Sequence, residues 1–313
     1  MSFEDKNVVI GGAGVGVATP FCTLAEIAAK ALIPFGYNAK LESGGQGTNL
    51  LRHIADGRFD FGSGNTMRVG WAYQGLFDYA KDGPRKNLRI IACIEHPSWL
   101  AVAVKAETDI TDLSQIKEGR LPVRVRGSSA YGPVWDIVWQ HYGLSGEEIL
   151  SYGGEFPGSG NANSGPTSVP ERWEHTGNFD VLTFTIYCAN SVEARHWLEL
   201  SLNHELRFLD LPEAVIRPLS EMVCGSPGYI PHELVRGVDR DVRSVYRGPH
   251  VICCRDDMPE KFAYQLAKAL DDNRHLFRQT ALPFSYDSKT AGRDVGVPFH
   301  PGAQQYYREM GYR

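Results

Sequence analysis

Residues 7–16 read Asn7-Val8-Val9-Ile10-Gly11-Gly12-Ala13-Gly14-Val15-Gly16, an apolar strand that runs directly into a glycine-rich loop. The following residues predict a helix over 23–31, because apolar residues such as Leu24 and Ile27 recur on one face of it. A strand, a glycine loop and a helix in this order are typical of α/β proteins with largely parallel sheets.

This pattern recurs further along the chain. A predicted strand over 37–42 ends at the turn Ser43-Gly44-Gly45-Gln46-Gly47, and a helix follows that stops near Gly57. A predicted strand over 121–126 enters the turn Gly127-Ser128-Ser129-Ala130-Tyr131-Gly132, and the proline that follows suits the first turn of a helix. Other strands are predicted from residue 59 and over 88–94, 100–104, 180–186, 207–209 and 250–254, a helix over 260–277, and a surface loop over 153–165.

The length of 313 residues exceeds what one minimal core needs and indicates two lobes. The strand over 100–104 is predicted to lead out of the first lobe, and the strand over 250–254 to return to it. We therefore expect one lobe of residues 1–104 with 248–313 and another of residues 105–247. Two crossings suit a hinge with a cleft between the lobes, and ligands of open α/β sheets bind beyond the carboxyl ends of strands.

Composition excludes two classes of function. The formal net charge of −5 argues against a nucleic-acid binder, because no basic stripe is available to neutralise phosphates. No apolar run approaches the ~20 residues of a membrane helix. The first residues, Met1-Ser2-Phe3-Glu4-Asp5-Lys6-Asn7, carry no signal-peptide pattern, which indicates either a trimmed leader and an extracytoplasmic protein or a cytoplasmic one.

The six cysteines are scattered and form no CxxC pair and no Cys/His spacing typical of zinc sites. Cys253 and Cys254 are neighbours in a predicted strand, where side chains point to opposite faces, so a bond between them is not expected. Buried, reduced thiols in a reducing compartment are the favoured interpretation. Neither a metal nor a cofactor is predicted.

Each glycine loop alone is explained as a strand-to-helix turn, and the first one matches the dinucleotide pattern G-x-G-x-x-G poorly. Together, however, three such loops would bring three helix N-termini, rich in backbone N–H donors, around one anion. The loop residues assigned to such an anion are Ala13, Gly14, Val15, Gly16, Gly44, Gly45, Ser128 and Ser129.

The tail Val297-Pro298-Phe299-His300-Pro301-Gly302-Ala303, followed by Tyr306-Tyr307-Arg308-Glu309 and Gly311, resembles the C-terminal signature of the TAXI family. These are the extracytoplasmic solute receptors of TRAP transporters. Ser43-Gly44-Gly45-Gln46-Gly47-Thr48-Asn49 is similar to the family element T-G-G-S-x-x-N, and Gly127-Ser128-Ser129-Ala130 resembles its second-lobe glycine element. The resemblance runs from Val8 to Gly311. It implies a two-lobed type II periplasmic-binding-protein fold that closes on a small carboxylate and presents it to TRAP membrane subunits.

Departures from the family pattern indicate which ligand is bound. Gln46 replaces a serine, and Asn65 stands where an aspartate is common, which removes a partner for an ammonium group. We therefore expect a ligand with fewer amino groups and more carboxylate or aromatic character. Selectivity is assigned to Gln46, Asn49, Asn65, Arg126 and Tyr131. Arg126 could take a carboxylate in two parallel hydrogen bonds, or lie on a solvated strand edge.

Trp99 and Thr185 complete the predicted ligand-binding set. Trp99 could stack on a planar ligand, although core packing is the commoner role of an isolated tryptophan. His300 is expected to cap or anchor the C-terminal helix.

Two alternatives to a transport receptor stay open. The first is a cytoplasmic enzyme on the same fold, a decarboxylase or lyase of a small or aromatic carboxylate, since 4,5-dihydroxyphthalate decarboxylases resemble this architecture. No catalytic set is evident, and the candidate acids and bases are His96, Tyr131, Asp136 and His300. The second alternative is a ligand sensor that docks on another protein.

Overall fold

The computed structural model describes residues 6–12, 19–45, 47–127, 132–156, 178–188, 192–280, 282 and 284–312. The strands are β1 (Asn7–Gly12), β2 (Asn38–Ser43), β3 (Phe61–Asn65), β4 (Leu88–Ile94), β5 (Ser98–Lys105), β6 (Val125–Gly127), β7 (Val181–Tyr187), β8 (Leu206–Phe208), β9 (Ser226–Ile230), β10 (Val242–Tyr246) and β11 (His250–Arg255). The α-helices are α1 (Pro20–Leu32), α2 (Gly47–Ala55), α3 (Thr66–Gln74), α4 (Ser114–Glu118), α5 (Gly132–His141), α6 (Gly146–Ser151), α7 (Val192–Asn203), α8 (Glu213–Met222), α9 (Glu260–Asp272), α10 (Ser288–Ala291) and α11 (Pro301–Glu309). Short 3₁₀ helices span Ile33–Phe35, Phe77–Tyr79, Ala106–Thr108 and Arg274–Gln279.

The chain forms two compact units, each with its own sheet. The first unit contains Met1–His96 and Gly248–Arg313, and the second contains Pro97–Arg247. The predicted division placed residues 97–104 in the first lobe. Instead, β5 pairs over most of its length with β7 and also with β8 and β10, so it belongs to the second sheet.

The first sheet has the strand order β2-β1-β3-β11-β4. β1 pairs in parallel with β2 on one side and with β3 on the other, whereas β11 runs antiparallel to β3 and β4. The order reverses at β1, because the chain places β2 on one side of it and then β3 on the other. In doubly wound sheets such a switch point opens a crevice beyond the carboxyl ends of the strands.

Glycines let α2 pack directly on the first sheet. An ideal Cβ at Gly11 would lie 2.5 Å from Leu50 Cδ1, one at Gly44 would lie 2.9 Å from the same atom, and one at Gly62 would lie 2.9 Å from Ile54 Cδ1. Cβ atoms essentially never approach other heavy atoms this closely. The lack of a side chain at these positions therefore sets the distance between α2 and the strands below it.

The C-terminal helix α11 packs on α9 and β4 through its paired tyrosines. Tyr306 Oη donates to Asp271 Oδ2 at 2.6 Å, and Tyr307 Oη donates to the Ile91 carbonyl at 3.0 Å. Both tyrosines and the aspartate are buried. Because a buried polar group that loses its partner is costly, these bonds fix the position of α11 on the first unit.

The second sheet has the order β6-β7-β5-β10-β9, with β8 on β5. Among the described strands of this sheet only β6 and β7 pair in parallel, so the prediction of largely parallel sheets is wrong for this part of the unit. The reason is that β5 and β10, the strands next to the two unit boundaries, run opposite to their neighbours. Trp197 lies at the centre of the second core together with Phe179, Phe184 and Phe208.

Several predicted elements differ from those observed. The strand predicted over 121–126 pairs with β7 only from Val125. Just before it, the Val123 carbonyl accepts from the Glu155 N–H at 2.9 Å and the Val125 N–H donates to the Glu155 carbonyl at 2.8 Å, which makes an isolated bridge between Arg124 and Glu155. The helix predicted over 260–277 ends at Asp272 and continues as a 3₁₀ segment. Most of the loop predicted over 153–165 lies outside the described residues. Within the described parts of the chain, every helix is too short or too polar to cross a bilayer.

Candidate functional site

The carboxyl edge of the first sheet brings together the starts of three helices. The register pairs Gly12 with Ser43 and Gly11 with Gly62, so β1 and β2 end at the same height and β3 continues two residues further at the same edge. Each of these strands is followed by a helix, α1, α2 and α3 in turn. The positive ends of three helix dipoles therefore share one edge of the sheet, which favours an anion there.

Two of these helices carry a side-chain cap. Thr19 Oγ1 accepts from the Cys22 N–H at 3.2 Å at the start of α1. Asn65 Oδ1 accepts from the Arg68 N–H at 2.8 Å at the start of α3. Asn65, predicted to contact the ligand, is only 3% exposed. Its side-chain amide oxygen already accepts the capping hydrogen bond, a role that asparagine fills well.

The turn after β2 is tied to the end of β1. Gly44 donates its N–H to the Gly12 carbonyl at 2.9 Å, so this predicted ligand donor is engaged within the protein. The Gly45 N–H lies 3.4 Å from Ser43 Oγ. Gly45 has φ +74°, a conformation that favours glycine, and it is exposed to solvent.

Asn49 lies in the first turn of α2, beside this turn. Its side chain is exposed, and its Oδ1 accepts from Arg52 Nη1 at 3.0 Å. An ideal Cβ on Gly45 would lie 3.8 Å from Asn49 Nδ2. The structure thus places Asn49, Gly44 and Gly45 together at the carboxyl edge, as the predicted site requires.

In the second unit, Arg126 at the end of β6 is 2% exposed. Its Nη2 donates to Glu155 Oε2 at 2.6 Å and its Nη1 to the Val125 carbonyl at 3.2 Å. The guanidinium predicted to take a ligand carboxylate therefore already holds the carboxylate of Glu155. Arg126 is not on a solvated strand edge, which was the alternative interpretation.

The neighbouring Arg124 is a structural residue. Its guanidinium binds both carboxylate oxygens of Asp180, at 2.8 and 2.7 Å, and its N–H binds Asp180 Oδ2 at 2.7 Å. Burial alone would raise the pKa of Asp180, but these hydrogen bonds hold it below its usual value.

The carboxyl end of β7 carries Thr185 and Tyr187. Thr185 Oγ1 is buried with no hydrogen-bond partner in the described part of the chain, and its carbonyl accepts from Trp197 Nε1 at 2.9 Å. Tyr187 Oη accepts from Arg247 Nη1 at 3.1 Å, and the Arg247 side chain is almost fully buried. A guanidinium at this end of the sheet was not predicted.

Trp99 belongs to the second core. It is 8% exposed, and its ring contacts the edge of Tyr246 with centroids 5.7 Å apart. This is the packing role that the sequence analysis gave as the commoner one.

Of the acids and bases considered for an enzyme, His96, Asp136 and His300 lie in the described residues. His96 is buried in the first unit, with its Nδ1 3.3 Å from His250 Nδ1. His300 accepts from the Gly302 N–H at 3.3 Å and caps α11, so the predicted capping role is confirmed. Asp136 is exposed on α5 in the second unit, where partial desolvation raises the pKa of its carboxyl. Burial lowers the pKa of His300.

Some predicted ligand residues cannot be placed. Those outside the described residues are Ala13, Gly14, Val15, Gly16, Gln46, Ser128, Ser129 and Tyr131. Conversely, sequence analysis missed Arg52, Glu155 and Arg247. Arg52 could have been found from its spacing, because residues three apart on a helix are neighbours. For Glu155 and Arg247 no sequence pattern indicated a role.

All six cysteines lie in the described part of the chain. Four of the six thiols, including those of Cys253 and Cys254, are buried. Burial raises the pKa of Cys253 to about 12, which keeps it a neutral thiol. The described residues contain no group of three histidine, cysteine or acidic side chains that could hold a metal ion.

Several solved structures are similar to this chain. A protein from Bordetella bronchiseptica RB50 matches with a TM-score of 0.50 and 13% sequence identity over 98% of each chain. A TctC solute binding protein from Polaromonas matches with a TM-score of 0.49 and 13% identity, also over 98% of each chain. A binding protein component of an ABC phosphonate transporter from Pseudomonas aeruginosa matches with a TM-score of 0.49 and 11% identity, over 93% of this chain and 83% of that one.

At the level of sequence, a model of the NMT1-like family matches residues 191–311, which run from α7 in the second unit to the end of α11 in the first. The chain therefore has an α/β fold of two units, each with its own sheet, as the sequence predicted. This fold is similar to that of the Bordetella bronchiseptica protein, and the C-terminal part of the chain is similar to the NMT1-like family.

Proposed function

We propose that this chain is a solute-binding protein that captures a small organic anion and holds its carboxylate at the carboxyl edge of the first sheet. The observation that carries the proposal is the meeting of the starts of α1, α2 and α3 at the switch point around β1. Helix N-termini supply N–H donors and positive potential without requiring lysine or arginine side chains.

Local geometry supports a ligand that accepts hydrogen bonds. Asn49 and the turn containing Gly45 are exposed at this edge, and Gly45 carries no side chain that would restrict approach to the backbone. Asn65 replaces the acid that is common in TAXI receptors, and its oxygen is used by the cap of α3. We infer that a carboxylate without a neighbouring ammonium group suits this site better than an amino acid does.

The transporter type is proposed from the same resemblance. The tail around His300, Tyr306 and Tyr307 matches the TAXI pattern, and we propose that the protein serves TRAP membrane subunits as an extracytoplasmic receptor. Fractionation of the native host tests the location, and copurification with TRAP membrane subunits tests the partner. A protein that stays in the cytoplasm would contradict the receptor role.

A thermal-shift screen tests the binding function. Succinate, phthalate and L-glutamate are added at saturating concentration, with the neutral diamide of succinate as the control. A ligand present at 100 times its Kd stabilises the folded state by about 2.7 kcal/mol. We expect succinate or phthalate to raise the Tm and the diamide to leave it unchanged. If none of the three acids raises the Tm, the proposed function is wrong.

Closure around the ligand stays a prediction from the sequence, as does the cleft in which it would occur. Small-angle scattering with and without the best binder tests it. We expect the radius of gyration to fall on binding, and an unchanged value would contradict a hinge.

A further inference from the structure

Arg52 on α2 is held in place from several sides. Its Nε donates to Asp82 Oδ2 at 2.7 Å and its Nη2 to the Asp78 carbonyl at 2.6 Å. Its guanidinium carbon lies 5.1 Å from the centre of the Tyr79 ring, which is fully buried and donates its hydroxyl to the Thr48 carbonyl. An arginine with this many fixed contacts has little freedom to reorient.

This arginine determines which way the Asn49 amide faces. Arg52 Nη1 donates to Asn49 Oδ1 at 3.0 Å. A guanidinium has only donors, so the amide oxygen, and not the NH₂ group, must face it. The Asn49 Nδ2 therefore points away from Arg52, toward the side where Gly45 lies. The usual ambiguity between the oxygen and nitrogen of an asparagine is removed by the chemistry of its neighbour.

We propose that Arg52 is a positioning residue that makes Asn49 a donor-only contact for the ligand. This inference rests on the proposed function and explains how the proposed site selects its ligand. With its oxygen occupied, Asn49 can offer only N–H groups, so it favours a carboxylate oxygen and disfavours an ammonium or other donor. Fixing the amide before binding also removes the cost of ordering it when the ligand arrives.

The test is a double-mutant cycle. Calorimetry first shows which of succinate, phthalate and L-glutamate binds the wild type most tightly, and that acid is then used for every variant. Asn49→Ala removes a hydrogen bond to a charged group, and we expect Kd to rise about 10- to 100-fold. Arg52→Met leaves Asn49 present but free to rotate, and we expect a rise of about 2- to 10-fold. In the Asn49→Ala background, Arg52→Met should change Kd by less than about 2-fold, because the residue on which it acts is gone.

Two further variants separate positioning from general stability. Arg52→Lys keeps a donor-only side chain, so we expect it to restore part of the affinity lost in Arg52→Met. Arg85→Met is the control, because it breaks an arginine–aspartate pair with Asp56 in the same unit without contacting Asn49. Its Kd should equal that of the wild type. If Arg52→Met fails to fold, Arg52→Lys takes its place in the cycle, and its loss of affinity should disappear in the Asn49→Ala background. Asn49→Asp tests the donor role of Asn49 separately: it keeps the shape but replaces the donor with a negative charge, and Kd should rise at least about 10-fold.

The outcomes distinguish the two claims. A wild type that binds none of the acids overturns the proposed function and this inference with it. A wild type that binds while Asn49→Ala and Asn49→Asp bind as tightly as the wild type overturns the role of Asn49 and with it this inference, and leaves the proposed function standing. Equal losses from Arg52→Met in the wild-type and Asn49→Ala backgrounds overturn the positioning role of Arg52.

Discussion

Replacing Gly62 with alanine tests whether the bare surface of the first sheet sets the position of α2. The added Cβ would lie 2.8 Å from the Gly11 carbonyl oxygen in β1 and 2.9 Å from Ile54 Cδ1 in α2. The first of these atoms belongs to the backbone and cannot rotate away. The Ile54 side chain is fully buried, so it can move only by displacing its neighbours in the packed core.

Relief of this clash requires β1 and β3 to separate or α2 to rise from the sheet. Overpacking of this kind costs about 1–3 kcal/mol. Alanine restricts the unfolded chain more than glycine does, and this stabilises the folded state by about 0.4–1 kcal/mol. We therefore expect Gly62→Ala to destabilise the first unit by about 1–2 kcal/mol and to lower its Tm by about 2–8 °C.

Calorimetric melting gives the change in Tm, and hydrogen exchange read by mass spectrometry shows in which unit it occurs. Exchange should accelerate in peptides from β1, β3 and α2 and stay unchanged in β5 and β7. Gly132→Ala is the control, because a Cβ there meets no heavy atom within 4 Å. A Gly62→Ala protein as stable as the wild type, with unchanged exchange, would refute the packing argument.

Two other predictions concern the C-terminal helix. Tyr306→Phe removes the bond to the buried Asp271 carboxylate and should cost about 1.5–3 kcal/mol of stability, measured by denaturant unfolding; a loss below about 0.5 kcal/mol would contradict it. Burial lowers the pKa of His300 below 6.5, so its neutral form stabilises the fold above that pH, and this contribution is lost as the pH falls through the folded pKa. His300→Asn keeps a capping acceptor for the Gly302 N–H and removes the titration. The fall in Tm between about pH 7.5 and about pH 5.5 should therefore be smaller in the variant, and an equal fall would contradict it.

Local patterns predicted much of the first unit. The apolar residues before Gly11 and the leucines of α2 have the spacings of a buried strand and of a helix face, and both elements formed. The strand predicted over 88–94 matches β4 residue for residue. These predictions depended on periodicity within one element, which neighbouring elements do not change.

Relations between distant elements could not be predicted. The direction of β5 relative to β7 depends on which unit β5 joins, and residues 100–104 are equally apolar in either case. Gly44 was expected to face an anion because glycines are common in such loops. Because Gly44 has no side chain, Leu50 of α2 can also pack closely against it, and this contact depends on how the helix lies on the sheet.

In the predicted site, too, contacts between residues close in sequence could be predicted and contacts between distant residues could not. Asn49 and Gly45 are close in sequence, and the structure places them together. The partner of Arg126 is Glu155, which is 29 residues away and has no pattern that links the two. Sequence spacing identifies neighbours on one turn or helix, whereas an ion pair between strands follows only from the sheet register.

The proposed function requires the ligand carboxylate to lie at the carboxyl edge of the first sheet. A crystal structure with the tightest-binding acid from the screen tests this directly. We expect a carboxylate oxygen within about 3.2 Å of Asn49 Nδ2, beside the turn at Gly45. A ligand bound elsewhere, with the Asn49 amide facing only solvent, would contradict the claim.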